Sequence, residues 1–498
     1  MEFNNKMSTK HAIIIGSGIA GMATAIRLAS AGYQISVFES NESPGGKLSY
    51  FEKEGFKFDE GPSLFTQPQN IEELFAFANE PIEKYFNYSK TDVACNYFFE
   101  NGKKIAAYTD KKRLSAELAD KLNEDSSAVE KYLSDAERLY NKIGLIFLNH
   151  SLHKLSTWLH KRVLHALSVL KTTYLFNTLH HHNNKRFISN EAVQIFNRFA
   201  TYNGSNPYKA PGMLSLIPHL EHNQGTFYPK GGMISITNAL YKLAIKKGVQ
   251  FNFNQSVEKI IQEDKKVKGV VVNGEHVFSD LIISNADVYH TYKNLLNHLP
   301  KATKLAKQER SSSALIFYWG INKQFDELGL HNILFSNHYK EEFDCLFNKK
   351  TILNDPTIYI NITSKMEKEQ APTGSENWFV MINAPTNNGQ DWDALIKETR
   401  KNVIQKINRI LNIDIEQLIK TETILDPRSI EKKTGSYKGS LYGTSSNSPF
   451  SAFLRPANFA SNIKGLYFCG GTVHPGGGIP LCLKSAYITS ELIIKNEK

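Results

Sequence analysis

Acidic residues are missing altogether from Arg138 to Asn190. That stretch instead carries Arg138, Lys142, Lys154, Lys161, Arg162, Lys171, Lys185 and Arg186, together with seven histidines. A basic run of this kind faces either nucleic acid or anionic lipid. Its interleaved residues are Leu, Val, Ile, Phe and Trp rather than Gly, Ser or Asn, which points to lipid and away from nucleic acid. Cysteine is scarce as well. Cys95, Cys345, Cys469 and Cys482 have no paired spacing, so neither a disulfide framework nor a cysteine zinc site is expected, and a reducing cytoplasm fits. His180, His181 and His182 are consecutive, and consecutive helical residues do not converge on one point, so no metal site is expected. Long apolar runs are absent too. The stretch from Ala12 to Ala31 is interrupted by Gly16, Gly18, Gly21 and Arg27 and has no clear small-residue cleavage site, so it reads as a strand and a helix rather than a leader. Nothing else approaches the roughly 20 apolar residues that span a bilayer, so any membrane contact should be peripheral, at the inner face of the cell membrane.

What is present is ordinary globular material: 498 residues, 41% hydrophobic, 22% charged, with a formal net charge of +10. This length exceeds what one hydrophobic core serves and predicts two or three domains. Ala12-Ile13-Ile14-Ile15 is a continuous apolar run, as in a strand buried on both faces. Helical spacing follows from Met22 to Ser30 and ends at Gly32, and Gln34 to Glu39 is the next strand. Val93 to Tyr108 reads as a β-hairpin turning at Asn101-Gly102, a two-residue turn pair. From about Ser115 to Asn203 the pattern is helical. Leu152, Leu155, Leu159, Val163, Leu167 and Leu170 recur at helical spacing beside Trp158, the pattern of a basic amphipathic helix. A helix is expected from Ile234 to Lys247, then strands over Gln250–Asn254, Val267–Val272 and, beyond Asn273-Gly274, His276–Ser284. Residues 310–430 alternate strand and helix signals without a clear order. Gly465 to Cys469 is a strand, Gly470 to Gly478 a glycine-rich loop, and Leu481 to Lys495 a helix.

Two of these features carry chemistry. Gly16-Ser17-Gly18-Ile19-Ala20-Gly21 follows a strand and opens a helix, the context in which glycines let backbone N–H groups approach a pyrophosphate. Glu39 ends the second strand, placed to accept hydrogen bonds from a ribose. Much later, Gly470 to Pro480 is a second glycine-rich loop feeding a helix N-terminus. A nicotinamide coenzyme held in one Rossmann half would not need that remote loop; an extended flavin would.

Residues 11–65, 226–290 and 436–495 closely resemble the bacterial-type phytoene desaturase family, within the broader amine-oxidase-like flavoprotein fold. The resemblance is carried by Gly470 to Ser485, Tyr228-Pro229-Lys230-Gly231-Gly232-Met233 and Ser284-Asn285-Ala286-Asp287. Asn203-Gly204-Ser205-Asn206-Pro207-Tyr208 and the acid-free segment resemble the 1-hydroxycarotenoid 3,4-desaturase branch. The resemblance implies an α/β protein with a discontinuous Rossmann-like FAD-binding domain of the glutathione-reductase type (1–80, 226–300, 435–498). It also implies an interleaved substrate-binding sheet domain (81–114, 301–434) and a helical, membrane-facing subdomain (115–225). FAD would be non-covalent. Gly16, Gly18, Ala20 and Gly21 would line its pyrophosphate and Glu39 its adenosine ribose. Gly46, Lys47 and Leu48, with Gly61, Pro62 and Ser63, would border the ribityl chain and ring. The backbone of Val257 would grip adenine, and Gly471, Gly478, Ile479 and Pro480 would approach the pyrimidine edge. Val257 also reads as a strand-end core residue, and Pro480 as a proline opening a helix.

The implied activity is desaturation of an acyclic carotenoid end, with phytoene desaturation and redox-neutral isomerisation as competing readings within the family. Outside enzymology the competing reading is an isoprenoid carrier or escort. Oxygen or a quinone would be the electron acceptor. A polyene delocalises developing positive charge, so no acid–base dyad is required, and the protein's task is to exclude water and align the bond. Three residues are candidates for direct participation: Arg198, Tyr202 and His474. Tyr202 is either a proton acceptor or a wall, and His474 either faces the ring or shapes its loop.

Overall fold

The N-terminal βαβ unit forms as its sequence dictates. His11–Ile15 and Gln34–Phe38 pair in parallel, with helix Ile19–Ser30 between them buried along ten of its twelve residues. In this computed structural model, which describes residues 10–159, 163, 172–448, 451 and 455–496, that unit is the centre of a five-stranded parallel sheet. Its order is Leu466–Phe468, Ile282–Ser284, His11–Ile15, Gln34–Phe38, Gln250–Asn252. Helices Ile234–Lys246 and Ile479–Asn496 join Ile19–Ser30 in covering one face through Met22, Ile26, Leu240, Leu243, Leu483 and Ala486. Three pieces of sequence, each more than 180 residues from the next, thus build one layer. All five strands present their C-terminal ends to the same edge, where ligands of open α/β sheets bind.

A three-stranded antiparallel meander, Val257–Glu263, Lys266–Val272 and Glu275–Phe278, packs on the other face. Its first strand carries no signal distinct from loop in the sequence, since four of its seven residues are Glu, Lys and Gln. The segment expected as one strand from His276 to Ser284 is two. The chain leaves the meander after Phe278 and enters the parallel sheet at Ile282, so a single run of residues serves two sheets.

A seven-stranded mixed sheet forms the remaining layer: Ile419–Leu425, Ser313–Ile321, Glu376–Ala384, Ile358–Ile362, His331–Leu334, Val93–Phe98 and Lys104–Tyr108. The central pair Ser313–Ile321 and Glu376–Ala384 is in register over nine residues, and helix Trp392–Leu411 seals its back through Val403, Ile404 and Ile407. The Val93–Tyr108 hairpin turns differently from the two-residue expectation. Phe99 and Lys103 still bond, and only Gly102 (φ 82°) takes positive φ, so the loop is three residues ending in a glycine bulge. Asn273-Gly274, by contrast, is a two-residue turn with both φ positive (51° and 77°).

The region from Lys111 to Asn203 is helical in short pieces. Lys111–Leu122 and Ser126–Leu139 are regular, each capped by an Asp side chain. A π-turn over Tyr140–Gly144, then Leu145–Asn149 and Leu155–Trp158, follow. The expected continuous amphipathic helix is interrupted in its first half, because Leu152 precedes the helix Leu155–Trp158 and Leu159 ends it. Leu167 and Leu170, with Lys161, Arg162 and Lys171, lie outside the described residues. No helix among the described residues is long and apolar enough to cross a membrane.

Candidate functional site

A single cavity of about 890 Å³ runs from the C-terminal edge of the parallel sheet to the face of the seven-stranded sheet. Gly16, Gly18, Ala20, Glu39, Gly46, Lys47, Leu48, Gly61, Pro62, Ser63, Val257, Gly471, Gly478, Ile479 and Pro480 all border it. These positions span more than 450 residues of sequence, and the fold brings them to one wall. Gly21 stands behind it. A Cβ there would lie 2.3 Å from the Gly16 carbonyl oxygen, so its role is close packing of the helix on the turn.

The polar character of this end suits a dinucleotide. Gly18 caps helix Ile19–Ser30 without a side-chain hydrogen bond, and the first turn has no acid, so its N–H groups are available to an anion. The Gly46 backbone approaches Gly18, where a Cβ on Gly46 would be 3.3 Å from the Gly18 Cα. At Gly478 (φ 101°) a Cβ would meet nothing within 4 Å, because the position opens onto the cavity. Glu39 is buried. Its Oε2 accepts from the Ser17 N–H (2.8 Å) and hydroxyl (2.9 Å), and its Oε1 from the Asn41 N–H (2.9 Å) and side-chain amide (2.7 Å). That network fixes the carboxylate at the end of its strand, on the border of the cavity. Lys47 donates to the carbonyls of Leu441 (2.8 Å) and Ser440 (3.3 Å), tying the Gly46-Lys47 turn to the C-terminal part of the chain. Burial pulls its ammonium pKa down, and Asp287 opposes this. The sites described therefore fit an extended flavin dinucleotide in their donors, their spacing and their open glycine positions.

Two further wall residues, Asn285 and Arg455, were not among the expected cofactor contacts. Asn285 donates to the Cys469 carbonyl (3.1 Å) and sets its Oδ1 against Gly18 and Gly21. Arg455 is buried and donates to the carbonyls of Tyr442 (2.7 Å) and Gly471 (3.3 Å). Desolvation lowers its pKa to about 10, with Arg310 adding to the effect. Only the neighbouring chain segments, not its own sequence context, reveal Arg455.

Beyond the glycine loops the cavity becomes apolar. Ile143, Phe147, Leu148, Met213, Leu214, Ile217 and Leu220 wall it from the helical region, and Ile316, Ile333 and Met381 from the sheet. Two candidates for direct participation lie here, and both are engaged by Glu221. Arg198 donates through Nη2 to both carboxylate oxygens (2.9 and 2.8 Å), and the Tyr202 hydroxyl donates to Oε1. Arg198 and Glu221 are 9% and 1% exposed, so this is a desolvated ion pair. Burial opposes the Glu221 charge and Arg198 overrides it, leaving its pKa below the usual carboxylate range. The Tyr202 pKa is pushed far up by burial and by Glu221, so the phenol keeps its proton. Glu221 itself was not among the expected site residues; an isolated Glu in a helical stretch gives no sign of being buried.

His474 does not border the cavity. Its Nε2 donates to the carbonyls of Phe147 (2.9 Å) and His150 (3.0 Å), its ring packs edge-on to Phe147, and burial drives its pKa down to about 4. It is a neutral strut joining the C-terminal glycine loop to the end of the acid-free helices. His180, His181 and His182 do not act together: His180 meets Asn197, His181 faces solvent, and His182 packs between Tyr132 and Tyr174.

Comparison with known proteins gives this geometry its context. The family model described as flavin containing amine oxidoreductase matches residues 19–494. The chain is 50% identical over 484 residues to a 1-hydroxycarotenoid 3,4-desaturase of Flavobacterium sp., covering 97% of this chain and 99% of that one. It is 32% identical to a 4,4'-diaponeurosporene oxygenase of Staphylococcus haemolyticus, covering 98% and 97%. Among solved structures, an oxidoreductase from Methanosarcina mazei superposes with a TM-score of 0.64 over 97% of this chain and 100% of that chain, at 16% identity, which speaks to the fold alone. The matched span begins within the first glycine turn and takes in the C-terminal glycine loop, and the chain belongs to the flavin-containing amine oxidoreductase family, with FAD as its cofactor.

Proposed function

We propose that this chain is an FAD-dependent desaturase of acyclic carotenoids that introduces the 3,4 double bond beside a 1-hydroxylated end. The observation that carries the reading is the continuity of one cavity, from dinucleotide-type glycine loops into an apolar chamber. The half-identical relative named for that reaction covers both parts. We assign residues 1–80, 226–300 and 435–498 to FAD binding, 81–114 and 301–434 to the substrate sheet, and 115–225 to a helical part that covers the chamber. Strand membership in the parallel and mixed sheets supports this division.

FAD, when bound, supplies the hydride acceptor. The roles we give the chain follow from its own groups. The open N-terminus of helix Ile19–Ser30, with Gly16, Gly18 and Ala20, receives the pyrophosphate, and Glu39 holds the ribose. Gly46, Lys47, Leu48, Gly61, Pro62 and Ser63 border the ribityl chain and ring, the Val257 backbone meets adenine, and Gly471, Gly478, Ile479 and Pro480 meet the pyrimidine edge. The positive end of helix Ile479–Asn496 opposes negative charge gained there. The apolar wall excludes water and holds the reacting bond. Neither Tyr202 nor Glu221 is poised as a base: Tyr202 retains its proton and Glu221 is neutralised by Arg198. The proton lost beside the hydride would come from a polyene-stabilised cation, acidic enough to pass it to a weak acceptor such as a water molecule, so a strong base would not be required.

We further infer that the substrate enters from an anionic bilayer at the inner face of the cell membrane. Leu145, Trp158, Leu159, Phe176 and Ile188 are exposed within the stretch that lacks every acid, and Ile143, Phe147 and Leu148 of that stretch wall the chamber. Oxygen or a membrane quinone would then restore the cofactor. The test is product analysis with purified, FAD-loaded protein in anionic liposomes, offered a 1-hydroxylated acyclic carotenoid and phytoene separately. A lengthened polyene from the hydroxylated substrate alone supports the reading. Product from phytoene moves the chain to the general desaturases, an isomer without net oxidation makes it an isomerase, and bound isoprenoid without flavin makes it a carrier.

A further inference from the structure

The apolar chamber contains a polar corner that the reaction does not use. His331 stands on strand His331–Leu334, is 3% exposed, and borders the cavity. Its Nδ1 has two neighbours, the Tyr359 hydroxyl at 2.8 Å and the Asn361 side-chain nitrogen at 3.1 Å. The Asn361 nitrogen also donates to the Leu330 carbonyl (3.0 Å), which fixes it as the amide N–H end. A nitrogen facing an amide N–H must accept, so the partners assign the ring proton to Nε2. Burial, with a smaller effect from Arg198, drives the pKa of this ring down to about 4 against the pull of Glu221, so it is neutral at physiological pH. Its Nε2–H is buried and has no hydrogen-bond partner. Arg198, which also borders the cavity, spends Nη2 on Glu221 and leaves its Nε–H equally buried and unpartnered. Buried donors without acceptors each cost about 1–3 kcal/mol, and since both residues border the cavity, a ligand oxygen inserted between them is an acceptor that would relieve that cost.

The position of this corner says which oxygen. Tyr359 links His331 to Ser63 through a 2.9 Å hydrogen bond, and Ser63 is among the residues assigned to the cofactor ring. The unspent donor is therefore two hydrogen bonds from the ring border. In a substrate desaturated between its third and fourth carbons, a hydroxyl on the first carbon lies three bonds from the nearer reacting carbon, which places it in the same neighbourhood. A hydroxyl oxygen accepts two hydrogen bonds, which matches two unspent N–H groups.

Resting on the function proposed above, we propose that His331 Nε2–H, assisted by Arg198 Nε–H, binds the terminal hydroxyl oxygen of the carotenoid and so determines preference for hydroxylated over unhydroxylated ends. His331 is a specificity-determining residue here and takes no part in bond breaking. A plain isoprenoid end would leave both donors unmet, and sites built to bond a hydroxyl reject analogues lacking it more strongly than apolar pockets reject an added group.

The test compares wild type with His331→Leu, which removes the donor, and His331→Gln, which returns an N–H near the position of Nε2. Each variant is first checked for its flavin absorption spectrum, which reports an intact cofactor site. Two readouts are taken on matched carotenoids with and without the terminal hydroxyl. One is kcat/KM, and the other is equilibrium binding to the reduced protein, where no turnover occurs, followed by the carotenoid absorption shift. The preference for the hydroxylated carotenoid should fall about 10- to 100-fold in His331→Leu by both readouts, and recover substantially in His331→Gln. An unchanged ratio in a flavin-loaded His331→Leu overturns the proposal, as does equal loss on both carotenoids with no rescue by Gln. A wild type without preference for hydroxylated ends would instead overturn the functional reading on which it rests. If His331→Leu loses flavin, His331→Gln against wild type decides, since a Gln variant with wild-type flavin content and abolished preference would refute the donor role.

Discussion

Replacing Arg198 with Leu should destabilise the protein by about 3–5 kcal/mol at pH 8, because it strands the Glu221 carboxylate in a site 1% exposed. In the wild type both carboxylate oxygens receive Nη2 of Arg198 within 2.9 Å, and Tyr202 adds a third bond. After the substitution only Tyr202 and the His222 ring, 3.6 Å away, face the charge. The pH dependence has a definite sign. In the wild type the Glu221 pKa is depressed, so its contribution is present above the ordinary Glu value and is lost only as pH falls through the lower folded value. In the variant, desolvation is no longer opposed by Arg198 and the pKa rises above the ordinary value. The folded variant then takes up a proton that the unfolded chain does not, and its deficit shrinks by up to about 1.4 kcal/mol per pH unit as pH falls through that interval. Arg198→Leu combined with Glu221→Leu should recover most of the loss, less about 1–3 kcal/mol for the Tyr202 hydroxyl left without its acceptor. The assay is urea unfolding followed by flavin release at pH 8 and pH 5.5. A deficit under 1 kcal/mol at pH 8, or one that widens on acidification, would refute the ion-pair argument.

Gly61→Ala should abolish flavin retention, since at φ 95° a Cβ would lie 1.9 Å from the Lys47 carbonyl oxygen; flavin content after desalting checks this. Buried His474 and His331, both with pKa values lowered to about 4, should make stability fall as pH drops from 6.5 toward 4, because the unfolded chain binds protons there that the folded chain does not. Stability measured in that window should flatten in His474→Asn if the strut is responsible. Leu159→Asp with Phe176→Asp, at side chains 70% and 75% exposed, should weaken sedimentation with anionic liposomes at least tenfold while leaving flavin content intact. High salt should weaken wild-type binding as well, and unchanged binding of the double variant would remove the docking surface from the acid-free segment.

The parts of the fold legible in the sequence are those whose signals are local. The run Ala12–Ile15, the glycine turn and the C-terminal loop each declare themselves within a dozen residues, and the structure brings them to one cavity. Apart from its Val93–Tyr108 hairpin, the seven-stranded sheet was not legible. Ser313–Ile321 is buried at all nine positions and shows no alternation, so its period cannot separate a central strand from a buried helix. Its neighbours come from residues 93–108, 331–334, 358–362, 376–384 and 419–425, an order that only side-chain packing decides. The polar corner was illegible for a related reason. His331, Tyr359 and Ser63 form one hydrogen-bonded chain across almost 300 residues, and of the three only Ser63 was expected at the site; neither His331 nor Tyr359 stands in a motif. Arg198 and Tyr202 were singled out from their position, but Glu221, which determines what both can do, gave no such cue. The first part of the basic stripe, Leu152 to Leu159, is less regular than its spacing suggests, because helix propensity alone does not hold a segment straight where Ser151 to Lys154 turn.

The central claim is that one cavity serves flavin and a hydroxylated polyene together. Its most direct test is a single turnover without oxygen: FAD-loaded protein mixed with a 1-hydroxylated acyclic carotenoid while the flavin and polyene bands are recorded together. The account predicts that flavin bleaching and the red shift of the polyene proceed at one rate and in equal molar amounts. Bleaching without a lengthened polyene, or neither change with carotenoid bound, would contradict it.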